Sequence, residues 1–168
     1  MTDTIKNFRL PRYLEITNVG LYLEQTVKFI NGYLAPLGEP EITASMVSNY
    51  VKLKLLANPD RKQYTAEHLA VLMFIAISKT VVTLDDIRFL LAIQKDKYPA
   101  AKAYDHFCTV FEETLFNSFG IKNAPATDKL NHSQENELLR SAVFAVVQKI
   151  YLDQYLLAYR NMEIADQQ

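Results

Sequence analysis

Residues 42–56 read ITASMVSNYVKLKLL, and the fold turns on how this stretch is placed. Thr43 is suited to cap a helix, because its hydroxyl can accept a backbone N–H that the first turn leaves without a partner. Val47, Tyr50, Val51 and Lys54 follow at helical spacing, with Leu53 and Leu56 closing the apolar side. The opposite side carries Ala44, Ser45, Ser48, Asn49 and Lys52, all short or polar and none acidic. Such a face can lie against DNA: small residues allow close approach to a major groove, Asn can bond an adenine edge in two places, and Lys or Ser can hold phosphate or base. The spacing predicts the second helix of a helix-turn-helix.

Upstream, residues 1–9 are polar and expected to fray. LPRYLEITN (10–18) reads as an irregular segment pinned by Leu10, Tyr13, Leu14 and Ile16, with Pro11 disfavouring helix at Leu10. Asn18 is a candidate cap for a helix over 20–34, whose stripe is Leu21, Leu23, Val27, Ile30 and Leu34. Pro36, Gly38 and Pro40 end that helix and deliver the chain to Thr43.

Downstream, ANPDRKQY (57–64) fits a short hairpin or wing with Arg61 and Lys62 at its tip, placed for phosphate contacts that set register without reading sequence. A solvated basic turn is the alternative. Thr65 then caps a helix whose interior LAVLMFIAI is apolar all round, as in a helix buried on two sides. Thr83 and Asp86 form a variant capping box that opens TLDDIRFLLAIQ, with a break over 95–99. From Ala100 the residues Tyr104, Phe107, Cys108, Phe111, Leu115 and Phe119 form an aromatic helix face. Residues 120–133 read as a long loop. A final helix over about 134–161 is apolar on more than one face, so one face packs within the chain and a second calls for a partner, most simply another copy.

Few Gly (four) and Pro (six), no Trp and 168 residues favour an all-α chain with at most a minimal β wing. With 18 basic against 19 acidic residues, a uniformly basic nucleic-acid coat is excluded, and any DNA affinity must come from a local patch. Residues 41–98 carry 8 basic against 6 acidic side chains, and residues 99–168 carry 6 against 9. Cys108 is the single cysteine, so no intrachain disulfide can form. The N-terminus has no apolar signal core and no run is long enough to span a bilayer, so the expected location is the cytoplasm.

No catalytic or metal-binding constellation can be assembled. His68 opens a helix, His132 lies in a loop, and His106 and Cys108 point to different faces of one helix. Cys108 reads as a small core residue, and Asp85 with Asp86 complements a helix dipole. The chain is expected to be no enzyme and to need no cofactor. Tyr104, Phe107, Phe111, Phe119, Phe144, Tyr151 and Tyr155 could line an effector pocket between the last two long helices, with ordinary core packing as the alternative.

Taken together, ITASMVSNYVKLKLL, NPDRKQY, TAEHLAVLMFIAISK and TVVTLDDIRFLL resemble the DNA-binding domain of MerR-type regulators. Tyr50, Leu55, Leu56, Tyr64, Thr65, Leu72, Phe74, Ile75, Leu84, Asp86 and Ile87 stand at the matching places. LPRYLEITN, GLYLEQTVKFIN, ITASMVSNYVK and YTAEHLAVLMFI resemble more closely an uncharacterised bacterial family, a domain of unknown function grouped with MerR-like proteins, over about the first 95 residues. Ser45 and Ser48 replace the usual recognition-helix Arg, and the wing is short, with Lys62 and Gln63. The resemblance implies a MerR-like winged helix-turn-helix over 10–95, followed by a C-terminal helical bundle over 99–161 for packing or dimerisation. It implies a transcriptional regulator that binds double-stranded DNA as a homodimer through its C-terminal helices. Thr43, Ser45, Ser48, Asn49, Lys52, Lys54, Arg61 and Lys62 would be its DNA contacts. A three-helix unit of this kind can equally bind a protein partner, and the aromatic helices leave a small-molecule sensor as a third reading.

Overall fold

The computed structural model describes residues 2–122 and 133–165, and among these it is built of seven α-helices with no strand. They are α1 (Thr2–Lys6), α2 (Leu23–Leu34), α3 (Ala44–Lys52), α4 (Ala66–Ser78), α5 (Leu84–Lys97), α6 (Ala100–Ser118) and α7 (Gln134–Ala165), with single 3-10 turns at Tyr13–Glu15 and Ala35–Leu37. The all-α expectation is met.

The centre is α4. Its stretch 69–78 is buried at every position except Val71, as a helix without a polar face requires. Around it lie α2, α5, α6 and α7, and one buried cluster runs from Ile5 to Ile150 through all of them. Thr83 caps α5 by accepting from the Asp86 N–H (3.2 Å), and its hydroxyl donates to the Asp86 carboxylate (2.9 Å). The aromatic face of α6 packs inward as its spacing predicts, with Tyr104, Phe107, Cys108, Phe111 and Leu115 all buried.

The N-terminus departs from expectation. Residues 2–9 do not simply fray: α1 starts at Thr2, and Ile5 and Phe8 are buried, Phe8 meeting Phe111 edge-on at 6.0 Å. Two apolar residues in a short polar stretch were enough to dock it. Leu14 is almost wholly exposed and does not help to pin the following segment, whereas Leu10 and Ile16 are buried. That segment is held by polar groups instead. Glu112 of α6 accepts from the Leu10 N–H (2.8 Å) and from both Arg12 guanidinium nitrogens, while Asp105 accepts from the Tyr13 N–H (2.7 Å).

Helix α2 begins three residues later than expected, with Tyr22 at the cap position, so Asn18 caps nothing; the Gln25 side chain accepts from the Tyr22 N–H instead (2.9 Å). Helix α5 runs on to Lys97, which moves the break to Tyr98 and Pro99. Helix α7 reaches Ala165, four residues beyond the expected end. Residues 123–132 of the expected loop lie outside the described residues, His132 among them.

Candidate nucleic-acid interface

Helix α3 forms where its cap dictates. The Thr43 hydroxyl accepts from the Met46 N–H (3.2 Å), and Val47 and Tyr50 are the residues it buries. It stops at Lys52, four residues short of the expected end. The Leu55 N–H reaches back to the Tyr50 carbonyl (2.9 Å) and the Lys54 N–H to that of Val51 (3.0 Å), with Lys54 left-handed at φ 56°. These bonds define a Schellman ending, in which the left-handed residue is ordinarily glycine. The ending turns Leu55 and Leu56 into the core but leaves Leu53 exposed, so Leu53 does not close the apolar side.

Both ends of α3 are anchored by side chains that the sequence reading passed over. At the start, Asn31 of α2 donates to the Ile42 carbonyl and accepts from the Ile42 N–H, both at 2.9 Å. At the end, Arg88 of α5 donates to the Leu53 carbonyl (2.6 Å) and to Asp85 (2.9 Å). Asn31 interrupts an otherwise apolar stripe, a signal available in the sequence; nothing local marks Arg88.

The stretch after α3 is a two-residue hairpin turn. Asp60 and Gln63 exchange backbone hydrogen bonds (3.2 and 2.8 Å) across Arg61 and Lys62, which are both left-handed at φ 48° and 64°. Its returning arm pairs with the segment ahead of α2, Leu21 and Tyr64 exchanging bonds of 2.9 and 2.7 Å. Gly20 permits this approach, because a Cβ there would lie 2.8 Å from Gln63 Cβ. His68 holds the other arm. Its Nδ1 accepts from the Thr65 N–H (3.0 Å), which leaves Nε2 to donate to the Asn58 carbonyl (3.2 Å). His68, set outside any catalytic or metal constellation by its place at a helix start, serves as a structural clip.

All eight expected DNA-contacting residues are exposed: Thr43, Ser45, Ser48, Asn49, Lys52, Lys54, Arg61 and Lys62. Ser45, Ser48, Asn49 and Lys52 fall at i, i+3, i+4 and i+7 and so share one face of α3. Lys54 is brought to the exit of that helix rather than onto it. The non-glycine residues with left-handed backbone among the described residues are Lys54, Arg61 and Lys62, every one basic.

The expected effector pocket between α6 and α7 does not form from its seven aromatics. Phe111 is fully buried in the core, whereas Phe144 and Tyr155 are more than half exposed. Phe119 and Tyr151 pack edge-on at 5.1 Å, an ordinary interhelical contact. Tyr104 and Phe107 instead border a cleft among α4, α5 and α6. Cys108 is a core residue as expected, and burial pushes its thiol up to about 12. His106 joins α6 to α7 through Asn136 (2.8 Å). No helix among the described residues is long and apolar enough to cross a membrane.

The profile of DUF1836, a domain of unknown function, matches residues 11–107, and the chain belongs to that family. The match takes in the hairpin turn, α2 to α5 and the first part of α6. No curated protein and no solved structure matches the chain.

Proposed function

We propose that this chain is a MerR-like winged helix-turn-helix protein that binds double-stranded DNA as a homodimer and acts as a transcriptional regulator. The observation that carries this reading is the coincidence of strain with charge. Left-handed backbone at a non-glycine residue costs about 1–2 kcal/mol and is often retained where function requires it. Here it occurs at Lys54, at the exit of α3, and at Arg61 and Lys62, in the hairpin turn that follows the helix bearing the acid-free face of Ser45, Ser48, Asn49 and Lys52. In this reading α3 enters the major groove with Asn49 against a base edge, and the three strained cations hold phosphates on either side. Thr43 at the cap directs the N-terminal end of α3 to the backbone.

Dimerisation supplies the affinity that so few cations leave wanting. Helix α7 is 32 residues long, and beyond Ile150 it exposes Leu152, Tyr155, Leu156, Leu157, Tyr159, Met162 and Ile164. Of these, Leu152, Tyr155, Tyr159 and Met162 fall at successive a and d positions of a heptad, the seam along which two helices pack. A second copy laid against this seam covers it and sets the spacing of two half-sites.

Selection from random duplex DNA at two salt concentrations tests the reading, with Lys52→Glu as control. Enrichment of two inverted half-sites, lost in the control, is the expected result. Asn49→Ala is expected to cost about 1–3 kcal/mol on the selected site alone, whereas Lys62→Ala weakens all sequences alike. Absence of binding even at low salt would overturn the proposal in favour of a protein-binding module.

A further inference from the structure

A cleft of about 670 Å3 opens between α4, α5 and α6, within the size range of small-molecule sites. Val71 and Phe74 come from α4, Leu91 and Ala92 from α5, and Ala103 and Phe107 from α6, so its walls are mainly apolar. Alanines stand at 92 and 103 in these walls, leaving room that a larger side chain would reduce. Its charged groups are uneven. Lys54, Arg88 and Lys95 border it against the single carboxylate of Glu67. Arg88 is engaged by Asp85 and the Leu53 carbonyl, but Lys54 and Lys95 are exposed and make no ion pair among the described residues.

An apolar cation would be repelled by this rim, and a neutral hydrocarbon would leave both lysines unused. We propose that the cleft binds a small apolar monocarboxylate, its hydrocarbon body between α4, α5 and α6 and its carboxylate drawn to the border of the cleft by the unpaired charges of Lys54 and Lys95. The nearby solvent weakens each ion pair, so most of the affinity comes from the buried hydrocarbon and the lysines supply selectivity for the acid.

Calorimetric titration of the full chain with decanoate, below its micelle concentration, tests the assignment against decanol and decyltrimethylammonium, which share the tail and change the head. No DNA enters the measurement, so its outcome is independent of duplex binding. Saturable one-site binding of decanoate is expected, stronger than that of either comparison compound. Lys54→Gln with Lys95→Gln, both at exposed positions, should weaken it about tenfold, the scale of a charge-assisted hydrogen bond. Ala103→Trp should abolish it while the helical circular dichroism is kept. Equal binding of the three compounds, undiminished affinity in the lysine variant, or no saturable binding of decanoate would each overturn the proposal. If Ala103→Trp fails to fold, the lysine variant and the head-group series decide alone.

Discussion

Arg12 and Glu112 meet in a two-pronged ion pair, at 2.8 and 2.7 Å, across a hundred residues of sequence. The carboxylate is almost fully buried and also accepts from the Leu10 N–H (2.8 Å), so each of its oxygens has a donor. Its presence holds the Arg12 guanidinium further above its already high ordinary range. This pair fastens the segment ahead of α2 to α6, the helix against which α7 packs.

Removing one partner strands the other, so Arg12→Ala should cost about 3 kcal/mol, the scale for uncovering a buried charge. Glu112→Ala should cost a similar amount, because it also orphans the Leu10 amide. The double variant should lose much less than the sum, since the two changes remove one interaction. Urea denaturation of the four proteins measures the coupling; strictly additive losses would show that the pair contributes nothing of its own.

The left-handed cations allow stability and affinity to be separated. Lys54→Gly, and Arg61→Asn with Lys62→Gly, supply residues that prefer this backbone, and each variant should gain about 1 kcal/mol. The same variants should bind duplex DNA more weakly at every sequence, with a shallower salt dependence. Thermal unfolding and DNA titration read the two effects. Gly120 is the internal comparison: it takes the same left-handed position after α6, at φ 66°, with the Ile121 N–H reaching back to the Phe116 carbonyl (2.8 Å). Gly120→Ala should therefore destabilise by about 1 kcal/mol, opposite in sign to Lys54→Gly.

His68→Ala removes both ends of the clip, the cap on Thr65 and the hold on Asn58. A loss of about 1 kcal/mol is expected, typical of a missing helix cap. Hydrogen exchange should quicken at Gln63 while the amides of α4 beyond its first turn stay protected. Unchanged exchange at Gln63 would show that the Leu21–Tyr64 pairing holds the turn unaided.

The Cys108 thiol, raised to about 12 by burial, should be inert to a disulfide reagent at pH 8 until the protein unfolds. The sign of the pH effect follows from the direction of the shift. The neutral thiol is favoured in the folded state, so its contribution is complete below the ordinary thiol range. Above about pH 9 the unfolded chain loses this proton while the folded chain keeps it, and stability declines as pH rises toward 12. Tyr104, raised in the same direction by burial, adds to the decline at higher pH. Cys108→Ala should remove the earlier part of the alkaline loss, measured by urea denaturation at stepped pH.

Helix type and order were legible because apolar spacing is local: the all-round apolar run of α4 and the aromatic face of α6 lie where their patterns place them. The Thr43 and Thr83 caps were legible for the same reason. Helix ends were less so. Lys52 ends α3 because Lys54 accepts a conformation normally left to glycine, and no residue preference announces that. Ile5 and Phe8 were lost among polar neighbours because their burial depends on Phe111, far along the chain. Glu112 and Arg88 escaped notice for a like reason, since a charged residue on an amphipathic helix reads as solvated until its distant partner is known. The exposed face of α3 was read from its own sequence, whereas the cleft requires three helices to be placed before it exists.

Asn31 and Arg88 grip α3 by its two ends through hydrogen bonds to the backbone of Ile42 and Leu53 rather than to the side chains of its outer face. The seat of the helix and its exposed face are thereby encoded at separate positions. Ser45, Ser48, Asn49 and Lys52 can be exchanged for other residues without removing the bonds that seat the helix, so the chemistry of this face is free to change while the architecture stays.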